Sequence, residues 1–157
     1  MPTIQLEIII HAPQQVVFDL ARSIDLHQVS TAHTGEKAIA GRTSGLIELG
    51  ETVTWQAKHL GITQQLTSKI TAMQPYTYFV DEMVSGAFKS IRHEHHFIVI
   101  DNFCTRMEDV FNYRSPFGII GKMADVLFLQ NYMRQLLLTR NQVIKKYAED
   151  KMQANNC

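Results

Sequence analysis

Two periodicities, met one after the other, limit what this chain can become. From about residue 46 to residue 113, side-chain character switches nearly every second residue, the spacing of strands with one buried face. From Ile119 to about Tyr147, the apolar residues Met123, Val126, Leu127, Met133, Leu136, Leu137, Val143 and Ile144 recur at helical spacing instead. A helix of roughly thirty residues is a rod about 45 Å long, and its apolar side needs a broad apolar surface to lie on. The sheet is the candidate surface. The pattern predicts an α+β fold with helices on one side of a curved antiparallel sheet.

Finer signals set the order of elements. Residues 3–10 read as an isoleucine-rich strand. In "HAPQQVVFDLARSIDLHQV", Pro13 suits a first helical turn, Val16, Val17, Leu20 and Ala21 share a face, and Ser23 is placed to cap a second short helix. "HTGEKAIAGRTSG" reads as a glycine-punctuated connection, without the Gly-Lys-Ser/Thr of a phosphate loop. "ETVTWQAKHL" puts Val53, Trp55, Ala57 and His59 on one face; Gly61 then marks a hairpin into "ITQQLTSKIT". "YTYFVDEMV", "FKSIRHEHHFIVI" and "FCTRMEDVFNY" follow as strands, the last two joined near Asp101-Asn102. Ser115-Pro116 is the start signal for the long helix, expected to run from about Pro116 to Tyr147.

Composition narrows the function classes. The 157 residues suit one domain, 1–157, with no linker, repeat or low-complexity segment. Fifteen basic residues against fifteen acidic ones give no field to attract nucleic acid. "MPTIQLEIII" lacks a basic leader and long apolar run, and "IIGKMADVLFL" is interrupted by Lys122 and Asp125, so neither a secretory signal nor stable membrane insertion is expected. Two cysteines, Cys104 and Cys157, make no disulfide framework, which fits a cytoplasmic protein.

The chemistry concentrates in "SIRHEHHFIVI", residues 90–100. A strand sends successive side chains to opposite faces. Ile91, His93, His95, Phe97 and Val99 therefore share one face, and Arg92, Glu94, His96 and Ile98 the other. In the next strand, Phe103, Thr105, Met107, Asp109, Phe111 and Tyr113 form the more apolar, inward set. A strict two-residue turn at Asp101-Asn102 would pair Glu94 with Asp109, carboxylate against carboxylate. A three-residue turn or a bulge would instead set His95 opposite Asp109, and that register is expected.

A His–Asp pair suits acid–base chemistry, since a carboxylate orients an imidazole. No serine or cysteine nucleophile stands beside it, and Cys104 falls on the outer face. A metal is not expected, because a His-x-His metal strand needs a further glutamate a few residues on, and here residues 98–100 are Ile-Val-Ile and the first later glutamate is Glu108. The plainest role for His93 and His95 is polar lining, satisfied by Asp109, Tyr113 or water. Arg134, Arg140, Lys145 and Lys146 read as a solvated helix face.

"IIIHAPQQVVFDLARSIDLH", "HLGITQQLTSKI" and "HEHHF…TRMEDVFNYRSPFGIIG" together resemble the START-like (SRPBCC, helix-grip) superfamily over nearly the whole chain. The resemblance implies a seven-stranded sheet gripping the long helix around a cavity; separately, no cofactor is expected. Members bind lipids, hormones, quinones or polyketides; others are polyketide cyclases or oxygenase subunits, and some carry a cell-division-inhibitor label. Carried onto this chain, it implies a ligand-binding set of Trp55, His59, His93, His95, Phe97, Asp109 and Tyr113. The function expected is binding, transport or sensing of a small, largely hydrophobic molecule. The alternatives are a cyclase, dehydratase or hydrolase using His95 and Asp109 in the same cavity, and a protein-interaction module.

Overall fold

Seven strands form a single antiparallel sheet in the computed structural model, which describes residues 1–116, 118, 123 and 125–156. The strands are β1 (Thr3–Ile10), β2 (Lys37–Gly41), β3 (Thr52–His59), β4 (Ile62–Gln74), β5 (Tyr78–Ser85), β6 (Ser90–Asp101) and β7 (Cys104–Arg114). Their order across the sheet is β1-β7-β6-β5-β4-β3-β2. Consecutive strands from β2 to β7 are neighbours, and β1 closes the far edge against β7, so the N-terminal strand ends up beside the last one. Two short helices, α1 (Gln14–Ala21) and α2 (Ile24–Ser30), follow β1, and a single turn of tighter helix spans Ala32–Thr34. A π-helical turn, Asp125–Leu129, leads into the long helix α3, Gln130–Asn155.

Local chemistry accounts for the boundaries. Pro13 is the residue before α1, and Ser23 caps α2 by accepting a hydrogen bond from the Leu26 amide. Leu60 and Gly61 both take positive φ in the β3–β4 turn, the conformation a two-residue hairpin requires. Gly41 also has positive φ, and a side chain there would run into the Thr52 carbonyl.

The core sits between the sheet's inner face and the helices. Val17, Phe18 and Ala21 of α1 are buried, and the Phe18 ring meets Phe79 and Phe97 edge-on at 5.8 and 5.3 Å. Polar ties hold that packing in place: Gln14 donates to the Phe97 carbonyl and Thr105 to the Ala12 carbonyl, both at 2.8 Å. From α3 the buried stripe is Leu137, Arg140, Asn141, Ile144 and Ala148, residues three and four apart on one face.

Three expectations need amendment. The stretch taken as a plain connection contains β2, an exposed edge strand whose alanines and glycine give no alternation to read. The long helix continues past Tyr147 to Asn155, because "AEDKMQAN" lacks a glycine or proline to stop it. Met123 and Val126, expected on its apolar side, project to solvent. The expected start at Pro116 leads directly into residues 117, 119–122 and 124, which lie outside the described residues, as does Cys157.

Candidate functional site

The β6–β7 ladder sets the first part of the site. A two-residue turn, Asn102-Phe103, would by itself pair His96 with Asp109, but β6 bulges at Ile100, and the ladder beyond runs Val99 to Thr105 and His95 to Asp109. From Ile91 to Phe97 and from Thr105 to Tyr113 the faces sort as expected. Val99 and Phe103, expected inward, stand exposed beside the turn, where the bulge ends the regular alternation. His93, His95, Phe97, Asp109 and Tyr113 are buried, while Arg92, Glu94 and His96 form an outer, solvent-facing chain of ion pairs with Glu82.

On the inner face, two imidazoles stand between two carboxylates. His93 Nε2 lies 3.0 Å from Asp109 Oδ1. His95 Nδ1 is 2.7 Å from the same oxygen, though off the line of a good hydrogen bond. The opposite edges of both rings face Asp81 Oδ2, His95 Nε2 at 3.2 Å and His93 Nδ1 at 4.0 Å. Asp81 comes from β5, directly across the ladder from His93. The two rings are themselves stacked at 3.8 Å, tilted by 43°.

From above, α3 closes the cluster. Asn141 donates from Nδ2 to Asp109 Oδ2 at 2.5 Å and accepts on Oδ1 from Arg140 at 3.2 Å. Arg140 also donates to the Ala21 carbonyl at 3.0 Å and lies 3.8 Å from Asp109. Arg140 was expected on the solvated face of the helix; it is 6% exposed, because Leu137 and Ile144 on either side carry it into the sheet and Asp109 balances its charge. His95 and Asp109 are each 1% exposed and Asn141 2%, so helix side chains fill the place of the open pocket implied at this level. Asp81, at 26%, is the partly exposed member.

Burial governs the protonation of the cluster. It pushes His93 down to about 4, helped by the neighbouring His95, so His93 is neutral at physiological pH. Burial alone would raise the Asp109 carboxyl, but His93 and His95 hold it well below the usual carboxylate range. Asp81 is likewise lowered against the pull of burial, by His95 first and then by the charges of His93 and Arg140.

Trp55 and His59 belong to a second group, near the hairpin between β3 and β4. The Trp55 ring packs on His27 at 4.2 Å, and His27 Nε2 lies 3.2 Å from Glu36 Oε2. His59 Nδ1 pairs with the Tyr132 hydroxyl at 2.9 Å, tying the end of β3 to the first turn of α3. Burial would raise the Glu36 carboxyl, yet the bond from His27 brings it below its ordinary value, and His59 adds a smaller pull. Burial lowers His59 in turn. Phe128 stacks on Tyr132 at 6.0 Å, and Leu60, Ile62 and Phe128 stand exposed around this group.

The seven residues foreseen from the sequence thus divide between two places. His93, His95 and Asp109 meet; Phe97 and Tyr113 are buried along the same two strands; Trp55 and His59 join His27, Glu36 and Tyr132. Sequence reasoning missed Asp81, Arg140, Asn141, His27, Glu36 and Tyr132. A signal existed for Arg140 and Asn141, which fall three and four residues after Leu137 on the apolar stripe.

No protein-family model matches the sequence, and no curated protein sequence matches it. Solved structures do. TTHA0849 from Thermus thermophilus aligns with a TM-score of 0.74 at 16% identity, covering 92% of this chain and 95% of the other. A START superfamily protein from Mycobacterium smegmatis aligns at 0.69 with 8% identity, covering 94% and 97%. The Zhui aromatase/cyclase from Streptomyces sp. R1128 aligns at 0.62 with 11% identity, covering 90% and 93%.

Proposed function

For a chain whose fold is the START-like helix grip, we propose binding of a small, largely hydrophobic molecule with one polar group, admitted where the β3–β4 hairpin meets the start of α3. One observation carries this reading. A polar and aromatic group of His27, Glu36, Trp55, His59 and Tyr132 adjoins exposed apolar side chains, Leu60 and Ile62 at the turn after His59 and Phe128 stacked on Tyr132. Binding sites for small molecules combine apolar walls with a few placed polar groups in this way. The resemblance to ligand-binding helix-grip proteins supports the same choice, while the likeness to an aromatase/cyclase fits the catalytic alternative. Acid–base catalysis by His95 and Asp109 has less support, since both groups are 1% exposed and Asn141 already occupies Asp109.

Trp55 makes the reading testable, as the sole tryptophan of the chain. Anilinonaphthalene sulfonate, an apolar ring system with one anionic group, is titrated while energy transfer from Trp55 is recorded. The expected result is saturable transfer. Removing side chains such as Leu60 and Ile62 from a ligand contact costs up to about 1.5–3 kcal/mol each, so Leu60→Ser with Ile62→Ser should weaken binding at least tenfold. Unchanged affinity in that variant, or no transfer at all, would reject the site.

A further inference from the structure

The buried histidine pair raises a question the ligand reading leaves untouched: what stands between the two imidazoles and Asp81. Carboxylates only accept hydrogen bonds, and a neutral imidazole has one N–H and one bare nitrogen. Asp109 Oδ1 lies within 3.0 Å of His93 Nε2 and 2.7 Å of His95 Nδ1. His93 donates from Nε2 to Asp109 and turns its bare Nδ1 toward Asp81, whereas His95 donates from Nε2 to Asp81 Oδ2 at 3.2 Å and leaves its own Nδ1 without a hydrogen-bond partner. A divalent cation among the three groups would take the place of that His95 proton, which would move to Nδ1 beside Asp109 Oδ1 and supply the contact the nitrogen lacks.

We infer that Asp81, His93 and His95 form a three-ligand site for a divalent first-row transition ion, backed by Asp109. Two imidazoles and one carboxylate are a donor set such ions take, leaving coordination positions open. Ligand atoms of the three residues lie within 4.8 Å of one another. Metal–ligand bonds of about 2.0–2.2 Å put neighbouring ligand atoms about 3.0–3.4 Å apart. His95 Nε2 and Asp81 Oδ2 already meet that spacing at 3.2 Å, and His93 Nδ1, at 4.0 Å from the same oxygen, needs a ring rotation to close in.

The surroundings resemble a metal site's outer shell. Metal-bound imidazoles usually direct the second ring nitrogen to a carboxylate, which fixes tautomer and orientation. Here Asp109 Oδ1 accepts from His93 Nε2 and lies 2.7 Å from His95 Nδ1, where the displaced proton turns, and Asn141 and Arg140 hold the carboxylate in turn. The partly exposed Asp81 gives the ion a way in from solvent and leaves its open positions on that side. Reading β6 alone suggests no third ligand; the neighbouring strand supplies it.

The test uses the full chain without a histidine tag, stripped with a chelator and titrated with cobalt(II), whose visible absorption reports its ligands. Saturation at one equivalent is expected. Asp81→Asn should weaken binding at least tenfold, and Asp109→Asn by about 10–100-fold. His96→Gln, on the outer face, should change nothing. No saturable absorption, equal affinity in Asp81→Asn, or loss in His96→Gln would overturn the site. If the Asp81 variant does not fold, proton NMR of the cobalt-loaded natural chain decides: two strongly shifted exchangeable imidazole protons support the site, and their absence overturns it.

Discussion

Asn141→Leu probes the closure of the buried cluster without touching a histidine. Leucine copies asparagine's branching and heavy-atom count, though its methyl groups are bulkier, so the loss of hydrogen bonding is the main but not the sole change. The variant leaves Asp109 Oδ2 without its 2.5 Å donor and Arg140 without its 3.2 Å acceptor. Asp109 is 1% exposed, so water cannot replace the missing partner. A hydrogen bond to a buried charged group is worth about 1.5–3 kcal/mol; with the stranded guanidinium contact, the expected loss is about 2–3 kcal/mol. For a chain of this size that lowers Tm by about 4–12 °C. Thermal unfolding followed by circular dichroism, in chelator so that no cation contributes, measures it. In an Asp109→Asn background the acceptor is neutral, and the same substitution should cost less than half as much. A Tm change under about 2 °C, or an equal loss in both backgrounds, would show that the Asn141–Asp109 contact does not hold the cluster closed.

Glu36 gives a pH test. Its folded value is lowered, so its stabilising share is full above the unfolded value and fades as pH falls through the folded one. Urea midpoints taken from pH 6 to pH 3 should therefore fall less steeply in Glu36→Gln than in the natural chain, and parallel curves would count against the His27 pairing. Gly41→Ala forces a side chain at positive φ against the Thr52 carbonyl, and should cost at least about 1–2 kcal/mol in chemical denaturation; a neutral result would contradict the β2–β3 geometry. Tyr132→Phe removes one half-exposed hydrogen bond to His59, for which calorimetry should find a loss under about 1.5 kcal/mol. Deeper destabilisation would mean that this contact holds the hairpin to the helix more firmly than one bond can.

Fold and site were legible to different depths, for physical reasons. Period-two alternation marked the strands from β3 to β7 because one face of each is buried, and isoleucine content marked β1; β2 escaped because an exposed edge imposes no such pattern. The pairing of His95 with Asp109 was readable because the rival register set two carboxylates opposite each other, a local conflict visible in the letters. Asp81 was not readable, since its meeting with His93 depends on how β5 aligns with β6, and no turn rule across Gly86–Lys89 fixes that alignment. Arg140 looked solvated because charged side chains on a helix usually are, and Asn141 beside it gave no reason for notice. Their burial is a tertiary outcome, decided by the carboxylate waiting on β7. The separation of Trp55 and His59 from the other histidines likewise reflects the breadth of the sheet, with β4 and β5 lying between β3 and β6.

The single extra residue at Ile100 has a consequence for how this chain can gain and lose codons. Deleting Ile100 removes the bulge, and the hairpin regularises with Asp101 still facing Cys104 and His95 still facing Asp109. Deleting Phe97, only three positions earlier, shifts everything before it by one place and brings Glu94 opposite Asp109. Two deletions of equal size, nearly adjacent in the gene, would therefore have opposite fates. Length variation among descendants of this sequence is tolerable on the turn side of the bulge and closed on the histidine side.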